Sequence, residues 1–177
     1  MNDVEDMVSC AADGAGYFTE KWLWRAAADL AAGSDACLLP ENVFYDGERF
    51  VAQPANESRR AYTAPEGAVG QTARIWSLGA LLFHLSLGVD VFNGMGGRSQ
   101  RPASPVPLMN KDWPELSALV ARCLTYDPAR RPSPDEIARV ASANLARLES
   151  RKPMRMPASR PARATLPSQT YWPEEMQ

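Results

Sequence analysis

The chain has 177 residues, 45% of them hydrophobic and 23% charged, which is enough apolar material for one packed domain and too much for wholesale disorder. Its formal net charge of −2 is uneven: residues 1–149 hold 14 basic against 19 acidic side chains, and residues 150–177 hold 5 against 2. An acidic body argues against a nucleic-acid-binding role and leaves basic peptide segments as body partners. No apolar run reaches the roughly 18–20 residues of a bilayer span. The opening MNDVEDMVSC lacks the basic-then-apolar order of a secretory leader. Cys10, Cys37 and Cys123 fall in no metal or redox spacing, so a cytoplasmic protein without cofactor is expected.

In chain order, Val4, Met7 and Val8 suggest a short first helix that Gly14 and Gly16 end. Thr19 can cap a second helix, with Trp22, Leu23, Ala26, Ala27 and Leu30 as its apolar members and Gly33 and Ser34 as its stop. Trp22 and Trp24 are read as one core and one surface residue. ENVFYDGERFVAQP predicts a hairpin, with β-prone runs Val43–Tyr45 and Phe50–Ala52 around Asp46-Gly47.

Residues 53–70 show no regular pattern. Residues 71–87 predict a helix apolar nearly all round: Ile75, Leu78, Leu82 and Leu85 share a stripe, while Trp76, Leu81 and Phe83 lie off it. Such a helix belongs at the centre of a fold, with Gly79 where another element comes close. His84, the single histidine, is read there as a packed or surface residue. A long Gly/Pro/Ser-rich connection, 88–111, follows.

Asp112 or Trp113 opens the next helix, with Pro114 near its first position; Leu116, Leu119, Val120, Cys123 and Leu124 form one face. SPDE at 133–136 reads as a capping box, and Ile137, Val140, Ala141, Leu145 and Leu148 continue the last helix. From residue 150, prolines every few residues predict a disordered basic tail. Its Arg151, Lys152, Arg155, Arg160 and Arg163 are read as a solvated linker, with docking on the acidic body as the alternative. A mostly α domain over 1–149 with one short hairpin is therefore expected.

Several stretches carry a resemblance. LLPENVFYD (38–46), YTAPE (62–66), WSLGALLFHLSLG (76–88), VFNG (91–94) and DPARRP (127–132) resemble, in order, five motifs of a protein kinase C-terminal lobe: L-K-P-E-N-I-L-x-D, A-P-E, the central helix, its P-F-x-G sequel and D-P-x-x-R-P. The resemblance implies a kinase C-lobe-like helical domain and an ion pair between Glu66 and Arg131. It also implies that the chemistry is missing. Cys37 stands at the catalytic Asp position, Leu39 at the Lys position and Asp35-Ala36 at the His-Arg positions; of the metal-binding residues only Asn42 remains. AQPAN (52–56) occupies the D-F-G region without a carboxylate, and Arg74 replaces the central-helix Asp. No glycine-rich phosphate loop or nucleotide lobe is recognisable. Cys37 is otherwise read as a small loop or core residue.

DVEDMVSCAADGAGYFTEKWLWRAAADLA (3–31) and ARIWSLGALL (73–82) narrow the resemblance to the kinase non-catalytic C-lobe domain, KIND. That resemblance implies a non-catalytic module that binds peptide segments of signalling or cytoskeletal partners, associated with the cytoskeleton or cell cortex. In actin nucleators of this type the ligand is a basic formin tail. Asp112, Glu115, Asp135 and Glu136 are the candidate basic-peptide contacts. PEN, APE and DPARRP stay closer to true kinases than in many members, so a degenerate pseudokinase that docks on a full kinase is the alternative. A third reading is a divergent kinase-like enzyme completed by another chain.

Overall fold

The structure, a computed structural model, describes residues 18–33, 37–54, 58–106, 109 and 111–150. The expected first helix with Cys10, the positions Ser34, Asp35 and Ala36, residues 55–57 and the tail from 151 lie outside the described residues.

Helix α1, Glu20–Ala31, turns Leu23, Trp24, Ala26, Ala27, Leu30 and Ala31 inward, the i, i+3, i+4, i+7 and i+8 stripe of an amphipathic helix. Thr19 sits at its N-cap without a side-chain capping bond, and the Trp24 indole N–H instead donates to Glu20 Oε1 at 3.1 Å. Trp22 stays half-buried and meets Phe18, Tyr45 and Phe50 edge-on.

Strands β1 (Val43–Tyr45) and β2 (Phe50–Ala52) form a two-stranded antiparallel hairpin, Val43 opposite Ala52 and Tyr45 opposite Phe50. Its loop is four residues, Asp46 to Arg49. The Asp46 carboxylate accepts the Glu48 and Arg49 backbone N–H groups at 2.9 Å each, which closes the turn. β2 is tied to α1 by the Phe50 N–H donating to Asp29 Oδ2 at 2.9 Å.

Helix α2, Gln71–Leu87, is the centre of the molecule, with every residue from Ala73 to Phe83 buried. Gly88 ends it in the left-handed region at φ 69°, its N–H bonded to the His84 carbonyl. A Cβ on Gly79 would sit 2.8 Å from Cys123 Cβ, so α2 and α3 (Pro114–Cys123) approach over a missing side chain.

Helix α4, Pro134–Ser150, packs mainly on α1. Ser133 Oγ accepts the Glu136 N–H at 3.2 Å, but the Glu136 carboxylate turns away to Arg122 of α3 at 2.6 Å. Half of the expected capping box therefore forms. The ion pair to Arg122 replaces the other half because α3 lies beside the α4 N-terminus.

The described part of the long connection, 88–106, is not loose. It makes 3-10 turns at Val91–Gly94 and Gly96–Ser99. Phe92 and Asn93 both adopt left-handed φ (51° and 54°), and the Phe92 ring stacks on Trp76. Gln100 is 3% exposed and accepts the Trp76 indole N–H at 3.1 Å while donating to the Leu124 carbonyl, joining α2 to the end of α3. A mostly α fold with one short hairpin results. No helix among the described residues is long and apolar enough to cross a membrane.

Candidate functional site

Cys37, Leu39 and Asn42 come together in the segment entering β1. Pro40 opens a 3-10 turn over Pro40–Asn42, and its fixed φ suits that first position. The turn lets the Asn42 side chain fold back over the preceding backbone. Asn42 Oδ1 accepts the Leu39 N–H at 2.8 Å, and Nδ2 donates to the carbonyls of Cys37 (3.1 Å) and Gln53 (3.0 Å). Both amide donors and the acceptor are engaged by backbone, so Asn42 clamps residues 37–39 to the strand exit at Gln53.

Cys37 is 6% exposed and faces inward. Its Sγ lies 3.3 Å from the Tyr62 carbonyl and 3.1 Å from Ser77 Oγ. Ser77, from the middle of α2, donates to the Leu38 carbonyl and accepts the Leu38 N–H, both at 2.7 Å. One hydroxyl thus pins the loop to the central helix. Burial pushes the Cys37 thiol up, and the Ser77 hydrogen bond offsets only part of that shift. A buried neutral thiol, with no base beside it among the described residues, is a poor nucleophile. Leu39 is buried and offers no cation.

Burial also pushes the Cys123 thiol up to about 12. Both thiols therefore keep their protons in the native state at pH values where an unfolded thiol, near 8.5, has lost its own. The native chain binds more protons there, so stability is full below about pH 8 and falls as pH rises. For Cys123 the loss approaches about 1.4 kcal/mol per pH unit once the pH is well above the unfolded value, and Cys37 adds loss in the same direction. Denaturation midpoints from pH 7 to 10 check this. Cys37→Ser with Cys123→Ala should flatten the slope, and an unchanged slope would assign the loss to other groups.

Glu66 and Arg131, 65 positions apart in sequence, form a two-pronged pair. Arg131 Nη1 and Nη2 donate to Glu66 Oε1 and Oε2 at 2.5 and 2.9 Å. The remaining guanidinium N–H groups go to the carbonyls of Thr125, Thr72 and Tyr126. All five donors are used, and the Arg131 side chain is 1% exposed against 30% for Glu66. The pair joins the turn after Tyr62 to the start of α2 and the end of α3.

Arg74 has a structural place that its sequence context did not reveal. It is 3% exposed, and its Nη2 donates to the carbonyls of Leu30 (3.1 Å) and Ala32 (3.4 Å) at the C-terminal end of α1. A cation is favoured against those carbonyls. Gly33, at φ 144°, gives the guanidinium room, since a Cβ there would lie 2.8 Å from Nη2.

His84 also acquires neighbours. Its Nδ1 approaches Asp90 Oδ1 to 3.0 Å, close but not aligned as a hydrogen bond. The same carboxylate oxygen accepts the Tyr62 hydroxyl at 2.9 Å. Burial, then the Asp90 charge, pushes the Tyr62 phenol up.

The four acidic candidates do not form one patch. Glu136 pairs with Arg122 and Glu115 with Arg147 (3.5 Å), at opposite ends of α3. Residues 115 and 122 on one helix are roughly 10 Å apart along its axis. Asp135 is exposed at the α4 N-terminus, and Asp112 precedes α3. No protein-family model matches the sequence.

Proposed function

We propose that this chain is a non-catalytic interaction module of kinase C-lobe ancestry, KIND-like, that binds peptide segments of signalling or cytoskeletal partners. The observation that carries this reading is the state of Asn42, the one metal-binding position the resemblance retains. Both of its amide hydrogens and one lone pair of Oδ1 hold backbone groups of residues 37–53. Cys37, at the catalytic Asp position, points into the core beneath Tyr62 and Ser77. Arg74, where a kinase would carry Asp, holds the end of α1. Residues at the positions of chemistry thus serve as internal braces, which supports a reading in which no described residue positions a nucleotide for phosphoryl transfer. The pseudokinase alternative differs in retaining nucleotide recognition.

The test is a thermal shift with ATP and Mg²⁺, then a phosphoryl-transfer assay on Cys37→Asp with Leu39→Lys. We expect no shift, because a ligand without affinity for the native state adds no stability. We expect no transfer from the double variant. A saturable shift favours the pseudokinase, and measurable transfer overturns the non-catalytic reading.

A further inference from the structure

A cleft of about 330 Å³ opens between two neighbouring turns and is lined by Ser58, Arg60, Thr63 and Arg98. Two glycines build it. The Gly96–Ser99 turn lies directly on the backbone of residues 60–65, with the Gly97 N–H donating to the Thr63 carbonyl at 2.9 Å. A Cβ on Gly97 would fall 2.2 Å from Pro65 N, and one on Gly96 would overlap the Arg60 carbonyl. That contact brings Arg98, next in sequence, to the same cleft as Arg60, 38 positions earlier.

Among the described residues no carboxylate compensates the charge in the cleft. The carboxylates that the structure describes on the surrounding elements are engaged elsewhere: Glu41 by Arg59, Glu66 by Arg131, and Asp90 by Tyr62 and His84. Among the described residues, Arg60 and Arg98 pair with no carboxylate, and both are exposed. Two guanidiniums carry more positive charge than one carboxylate neutralises, and the Ser58 hydroxyl adds a further donor. They match the charge and oxygen count of a phosphate monoester, near −2 at pH 7 with three acceptor oxygens.

We propose that this cleft binds a phosphate monoester borne on a serine or threonine of a partner peptide. Among the described residues its lining side chains are two arginines, a serine and a threonine, with no aromatic ring on which a nucleotide base could stack. Two cations on an otherwise acidic body also suit a single phosphate rather than a nucleic-acid backbone. That the phosphate arrives on a peptide rests on the interaction-module reading above.

The test is a titration of the chain with N-acetyl-phosphoserine N-methylamide, read from the arginine Nε–H resonances. Parallel titrations use the unphosphorylated amide, inorganic phosphate and N-acetyl-aspartate N-methylamide. Saturable shifts at Arg60 and Arg98 are expected with the phosphoserine amide, and weaker ones with the aspartate amide. Arg60→Gln and Arg98→Gln should each weaken binding about tenfold, while Arg49→Gln, away from the cleft, should not. All three substitutions are on the surface, and unchanged melting curves verify their fold. The site is overturned if phosphoserine moves neither arginine, if Arg49→Gln weakens binding as much, or if inorganic phosphate binds more tightly than the ester. The ATP thermal shift tests the module reading independently, so failure of this site and failure of that reading give different results.

Discussion

Arg131→Ala should destabilise the domain by about 3–5 kcal/mol, a large part of the ~5–15 kcal/mol that holds such domains together. The substitution removes five hydrogen-bond donors at once. It leaves the Glu66 carboxylate and the carbonyls of Thr72, Thr125 and Tyr126 without the cation that joined them. Glu66→Ala should cost less, about 1–2 kcal/mol, because that carboxylate is 30% exposed and water can replace it at Arg131. Arg131→Lys should fall between, since an ammonium keeps the charge but cannot serve both Glu66 oxygens and three carbonyls. Urea denaturation of both single variants and the double variant checks this. The double variant should lose well under the sum of the two, with a coupling of about 1–3 kcal/mol. Strict additivity would show that the pair contributes nothing as a pair.

Arg74→Asp, which places a carboxylate where Arg74 now meets the end of α1, should destabilise by about 3 kcal/mol or more. A carboxylate there would be buried on α2 with the α1 C-terminal carbonyls of Leu30 and Ala32 deprived of their donor. The negative end of a helix dipole opposes an anion, and an unpaired buried charge is costly. Arg74→Met should cost less, about 1–3 kcal/mol, since it loses the donors without adding an opposing charge. Denaturation midpoints of the two variants separate these effects. If Arg74→Asp is as stable as the parent, the residue is a bystander rather than the brace of α1.

Helices α1 to α4 and the hairpin were legible in the sequence because their signals are local. A stripe of period 3.6 on α1 and α3, an apolar surface all round α2, and Asp46-Gly47 between two β-prone runs each act over a few residues. Steric reach is legible in the same way: a glycine inside an apolar helix marks a close approach, and Gly79 meets Cys123.

The polar partners were less legible, since each depends on which backbone groups the fold brings within about 3 Å. The SPDE motif offered Glu136 a local bond, and Arg122 on a neighbouring helix took it instead. The sequence marked Arg74 as a lost aspartate, but only the placement of α1 against α2 turned it into a cap. Gln100 and Asp90 carried no signal inside a Gly/Pro-rich connection, yet one ties α2 to α3 and the other meets both Tyr62 and His84. By itself the sequence determined where this chain forms helices and which faces they bury, because apolar burial follows spacing along the chain. Which charges are satisfied, and that Arg60 and Arg98 share one cleft with no carboxylate among the described lining residues, was decided by tertiary contacts between segments tens of residues apart.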